Sequence, residues 1–96
     1  GTVAKFTLNG RLDATNAPAF QEELKKLTGQ QISKLVFFVE HLEYISSAGL
    51  RVIIFTKQKI GSGAQAYLIK PQESVLNIIK MSGLDNFMMT QDSFQE

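Results

Sequence analysis

Five consecutive apolar residues, Leu35-Val36-Phe37-Phe38-Val39, leave no polar side for water to occupy. A strand covered on one face alternates in polarity, so an unbroken apolar run predicts a strand covered on both faces, as at the centre of a parallel sheet. Parallel neighbours need crossover connections, usually helical, and the segments around this run supply them. Val3-Ala4-Lys5-Phe6-Thr7-Leu8 reads as a first strand, closed by the turn signal Asn9-Gly10. Asp13-Ala14-Thr15-Asn16 offers several helix caps and Pro18 suits a first helical turn. Ala17, Phe20, Leu24 and Leu27 then recur at helical spacing, with Gly29 as the stop.

Beyond the central run, His41-Leu42-Glu43-Tyr44 reads as a connecting loop. Ser46-Ser47 stands before Leu50, Val52, Ile53, Ile54 and Phe55, a stretch that reads as a mostly buried helix capped by one of the serines. Its richness in β-branched residues leaves a strand as the competing assignment. Residues 64–69 read as a strand stopped by Lys70-Pro71. Residues 73–81 carry Val75, Leu76, Ile78 and Ile79 in helical phase up to Gly83. Leu84-Asp85-Asn86-Phe87 is a turn or helical cap before a last strand near residues 88–90, and the polar tail has Phe94 as its one anchor. This order predicts an α/β fold: a single domain over residues 1–96, with a mostly parallel central sheet flanked by helices.

Composition narrows the function. The 96 residues are 44% hydrophobic and 20% charged, as in ordinary globular domains. Ten Lys plus Arg against nine Asp plus Glu leave a net charge of +1. With Lys25-Lys26 the only adjacent basic pair, nothing drives binding to nucleic acid or to anionic membranes. No cysteine is present, which excludes a disulfide framework and fits a reducing, cytoplasmic setting. The apolar runs are far shorter than the roughly 20 residues of a membrane helix, so no membrane insertion is expected. No signal peptide is visible, and Gly1 in place of methionine suggests a start that is not the native one.

Enzyme signatures fail in turn. One histidine, His41, and no cysteine make a metal site or a Cys–His pair implausible. His41 reads as a solvated loop residue, and no distance links Asp13 to Glu40 as an acid–base pair. Neither GxxxxGK[ST] nor GxGxxG occurs, and Gly61-Ser62-Gly63 opens a strand instead of a helix. No cofactor and no catalytic residue are expected, which leaves a binding module.

The informative stretch is Tyr44-Ile45-Ser46-Ser47-Ala48-Gly49-Leu50-Arg51. Hydroxyls at a helix entry satisfy N–H groups that otherwise lack partners. Gly49 is the oddity: glycine within a first helical turn costs about 0.5–1 kcal/mol relative to alanine. The expectation is that an approaching partner or phosphate needs the backbone uncovered there. Tyr44 reads as a loop-packing aromatic.

Three motifs occur in order: Leu8-Asn9-Gly10-Arg11-Leu12-Asp13, Tyr44-Ile45-Ser46-Ser47-Ala48-Gly49-Leu50 and Met81-Ser82-Gly83-Leu84-Asp85-Asn86-Phe87. Together they resemble the STAS domain of bacterial anti-sigma factor antagonists, over nearly the whole chain. The resemblance implies partner switching. The unphosphorylated antagonist binds an anti-sigma factor that is also a serine kinase; the kinase, using ATP, phosphorylates the antagonist and lets go, and a phosphatase resets the cycle. The modified serine in the family lies two positions before the glycine of serine–x–glycine–leucine, here Ser47, with Ser46 as second choice. Ser46 stands where many relatives carry aspartate, Ala48 where a second hydroxyl is frequent, and Phe38 where aspartate or asparagine is common. Asp13, Ser46, Ser47, Ala48, Gly49 and Arg51 are the expected partner-binding residues, Asp13 having a helix-entry cap as its alternative role. Two other readings stay open: a constitutive STAS-type subunit of a transport or sensory assembly, and a small-ligand sensor for a nucleotide or lipid.

Overall fold

The computed structural model describes residues 2–27, 31–60 and 63–93. Strand β1 (Thr2–Leu12) leads through helix α1 (Ala17–Lys25) to strand β2 (Ile32–Ile45), and α2 (Ser47–Phe55) leads on to β3 (Gln65–Ile69). Helix α3 (Glu73–Ser82) and a 3₁₀ turn (Leu84–Asn86) precede β4 (Met89–Gln91). The four strands form one sheet in the order β1-β2-β3-β4, every pair parallel. The ambiguous apolar stretch after the serines is helical. It widens into a π-helical turn over Thr56–Ile60, where the buried Thr56 hydroxyl donates back to the Val52 carbonyl at 2.8 Å. Such back-bonding competes with the regular ladder and bends helices.

The alternation of β-strands sorts the core into two clusters. Ala4, Leu8, Leu35, Phe37, Val39 and Leu68 lie in the larger one with residues from all three helices, among them Leu24, Ile53 and Ile79. Phe37 is its centrepiece, 1% exposed, with the Phe6 ring stacked on it at 5.3 Å and Phe20 packed edge-on to Phe6 at 5.9 Å. Val36, on the opposite face, is fully buried with Tyr67 and Ile69, and Val3 and Phe38 pack against them. None of these comes from a helix. The central run is therefore apolar toward both faces, but on the second it packs against side chains of the sheet itself, and Phe38 stays half-buried there.

Two elements outrun their sequence boundaries. Asn9-Gly10 does not end β1; Gly10 takes φ 70° inside the strand, which glycine tolerates without a Cβ clash. The expected loop at His41-Leu42-Glu43-Tyr44 is strand as well. Register against β1 slips between Thr7 and Asn9 and again between Gly10 and Arg11, each time leaving one extra residue in β2. Those bulges turn the strand and give its far end a burial period of three, with Val39, Leu42 and Ile45 buried and the pairs between them exposed. A three-residue repeat of apolar positions does not look like a strand, which is why the sequence reads as a loop there. Gly83 ends α3 at φ 78°, as expected of a C-terminal glycine. Gly29 and Phe94, expected as a helix stop and a tail anchor, lie outside the described residues.

Phe37→Ala removes the central ring of the larger cluster and should cost about 3–5 kcal/mol. Urea unfolding measures it, and a loss below about 1 kcal/mol would contradict this placement of the core.

Candidate functional site

The end of β1 and the start of α2 meet at the carboxyl edge of the sheet. Leu12 pairs with Ile45, and the Leu12 carbonyl then accepts the Ser46 amide at 2.8 Å. Ser46 is the N-cap of α2: its backbone is extended, its carbonyl accepts from Leu50 N–H at 2.9 Å, and its Oγ accepts from Gly49 N–H at 3.3 Å. One serine is thus committed to closing the helix. Ser47, the first residue of α2, is exposed, and its side chain hydrogen-bonds to no described residue. Of the two serines that the sequence left open as caps of this helix, Ser46 is the cap.

Asp13 directly follows the Leu12 carbonyl. Its Oδ1 accepts from Thr15 N–H at 3.0 Å, and its own carbonyl accepts from Ala17 N–H at 2.8 Å. It therefore shapes the turn before α1, while the N-cap position belongs to Asn16. Asn16 makes no capping bond; its Oδ1 accepts from Asp13 N–H at 2.8 Å and its Nδ2 donates to the Arg11 carbonyl. The remaining carboxylate oxygen of Asp13 lies 3.7 Å from Arg11 Nε. Arg11 in turn stacks over the Tyr44 ring, 4.4 Å from its centroid. Tyr44 is on β2, 37% exposed, and serves as a platform for a cation instead of packing a loop. Arg11 lies within the first motif, where the sequence alone assigns it no role; its one signal is Asp13, two positions on.

Ala48 and Arg51 line a shallow groove of about 190 Å³ between α1 and α2, facing Ala14, Ala17, Pro18 and Gln21. Arg51 is exposed, four residues beyond Ser47, so the two share a face of the helix. Gly49 does not join them. It is buried, and a Cβ built on it would stand 2.8 Å from both Leu12 Cγ and the Leu12 carbonyl oxygen, and 3.0 Å from Ile45 Cγ1. The expectation that an outside partner requires this glycine is corrected: the backbone that approaches closely is the chain's own. Among the described residues, no group of three or more His, Cys, Asp or Glu is placed to hold a metal ion.

The model of the STAS domain matches residues 1–96. The chain belongs to the STAS domain family. The anti-sigma-F factor antagonist RsfB of Mycobacterium tuberculosis is 25% identical over 83 residues, covering 86% of this chain and 68% of RsfB. A putative anti-sigma factor antagonist from Thermotoga maritima superposes with a TM-score of 0.84 at 24% identity, over 96% of this chain and 80% of that one. The anti-sigma factor antagonist SpoIIAA in its unphosphorylated form gives 0.77 at 19% identity, over 91% and 79%. At such identities the two structures establish a shared fold.

Gly49→Ala tests the internal contact. Alanine favours helices by up to about 1 kcal/mol over glycine, so an open site would be stabilised. Overpacking against Leu12 costs about 1–3 kcal/mol; the variant should melt several degrees lower, and a higher melting temperature would refute the contact. Ser46→Ala, which removes the cap, should cost about 1 kcal/mol by urea unfolding.

Proposed function

We propose that this STAS domain is an anti-sigma factor antagonist whose binding is switched by phosphorylation of Ser47. The observation that carries the reading is the division of labour at the entry of α2: Ser46 Oγ is engaged with Gly49 N–H, and Ser47 presents an exposed hydroxyl. The likeness to RsfB supports the antagonist role. In this reading the partner is an anti-sigma factor with serine kinase activity that uses ATP, and a phosphatase restores the hydroxyl. The binding surface comprises Asp13, Ser46, Ser47, Ala48 and Arg51, on the turn before α1 and the outer face of α2.

Physical chemistry explains why a phosphate here switches binding without unfolding the domain. Phosphorylation adds about −1.5 to −2 charges. At the first position of α2 those charges meet the free N–H groups and the positive end of the helix dipole, so the fold tolerates them. A partner packed over Ser47 meets a desolvated dianion instead. A penalty of about 3–4 kcal/mol weakens affinity several-hundred-fold, since each 1.4 kcal/mol is a factor of ten. The Ser46 hydroxyl already serves the helix, while its amide is bonded to the Leu12 carbonyl, so modification there would disrupt the cap.

The test is peptide mass spectrometry after incubating the domain with ATP, magnesium and its anti-sigma kinase. Phosphate is expected on Ser47, with release of the partner. Ser47→Ala should bind and resist modification, and Ser47→Asp should bind at least tenfold more weakly while melting normally. A tight complex with an active kinase and no phosphate on any serine would replace this reading with constitutive binding.

A further inference from the structure

Strand β2 outruns its neighbour. Its last partner in β3 is Phe38, opposite Ile69, so residues 39–45 pair with β1 alone. On the open side no described strand supplies hydrogen bonds. Two carbonyls of this overhang are nonetheless engaged. Gln72 Nε2 donates to the Glu40 carbonyl at 2.9 Å, and Ser74 Oγ donates to the Glu43 carbonyl at 3.1 Å. Both donors sit at the entry of α3.

Their chemistry is unusual for that position. Gln72 is the N-cap of α3, where serine, threonine, aspartate and asparagine are preferred, and its side chain makes no capping bond. Its amide serves another element. The chain reaches this place through Lys70, which takes φ 54°, a left-handed conformation uncommon outside glycine. Lys70 N–H donates to the Gln91 carbonyl of β4 at 2.8 Å, and its Nζ lies 3.9 Å from Glu40 Oε1. The loop is thereby anchored to β4 on one side and to the β2 overhang on the other. Gln72 and Ser74 are both exposed, so neither contributes much buried area to the core. What they hold is the end of β2, which runs straight into Ser46 and Ser47.

We infer that Gln72 and Ser74 are positioning residues that stand in for a missing strand. They fix the β2 overhang, and through it the Ser46-Ser47 entry of α2, in the geometry a partner recognises. The inference rests on the reading of Ser47 as the switch residue, but its mechanical half does not.

Three variants test it. Gln72→Glu is nearly isosteric, loses the N–H donor and places a carboxylate where the dipole of α3 favours one. The double variant Gln72→Glu/Ser74→Ala removes both bonds, and Ser74→Thr keeps the hydroxyl. Amide hydrogen exchange over residues 41–46 should accelerate in the double variant, with a melting temperature within about 4 °C of the parent. Affinity for the anti-sigma kinase and the rate of Ser47 phosphorylation should each fall roughly tenfold, as expected for two lost hydrogen bonds. Ser74→Thr should behave as the parent. Unchanged exchange in the double variant overturns the inference, as does faster exchange with undiminished binding and phosphorylation. If the parent itself neither binds such a kinase nor is phosphorylated, the proposed function fails instead; faster exchange then upholds the positioning of the overhang, and unchanged exchange refutes it.

Discussion

A single backbone hydrogen bond, from the Ser46 amide to the Leu12 carbonyl, joins the two halves of the candidate site. It extends the β1–β2 ladder one step past the sheet, so that the first turn of α2 starts against the end of β1. Everything nearby follows from that closeness. Gly49 has no side chain because Leu12 and Ile45 occupy the space where one would go. Ser46 must cap, because the register leaves Gly49 N–H facing its hydroxyl. Ser47, one position later, turns outward. The division between a structural and an exposed serine is a consequence of strand register.

The polar half of the site is built on the same edge. Asp13 uses one carboxylate oxygen within its own turn and offers the other to Arg11, whose guanidinium is also supported by the face of Tyr44. Exposed ion pairs contribute little stability, about 0–1 kcal/mol. Their effect here is orientation: a planar cation resting on an aromatic ring loses freedom that it would otherwise have in water. Arg11 is held by two neighbours at once, Asp13 from the turn after β1 and Tyr44 from β2.

Much of this fold could be read from residue patterns. The unbroken run from Leu35 to Val39, the helical phase of Ala17, Phe20 and Leu24, and the left-handed Gly83 are local signals, and each element appears where they place it. The extension of β2 through Tyr44 was hidden because two bulges gave buried residues a spacing of three, which matches neither a strand nor a helix. Gly49 was recognised as exceptional, yet its cause lies in Leu12, far away in the chain and brought near by parallel pairing. The ties from Gln72 and Ser74 to β2 are longer-range still, and two ordinary polar residues at a helix entry carry no mark of them. Motif residues placed Asp13, Ser47 and Arg51 near α2, but which serine caps was decided by hydrogen bonding that no spacing specifies.

The order of the strands bears on what kind of molecule this edge can receive. In open α/β sheets, small ligands settle in the crevice where successive crossovers depart toward opposite faces, at a topological switch point. Here strand order follows chain order without reversal, and all three helices share one core face. A sheet wound in one direction has no such fork in its carboxyl edge. At that edge Ser47 is exposed, with the shallow groove between α1 and α2 beside it. An exposed hydroxyl on the open side of a helix is reached most directly by a broad surface laid across it, such as another folded protein presents.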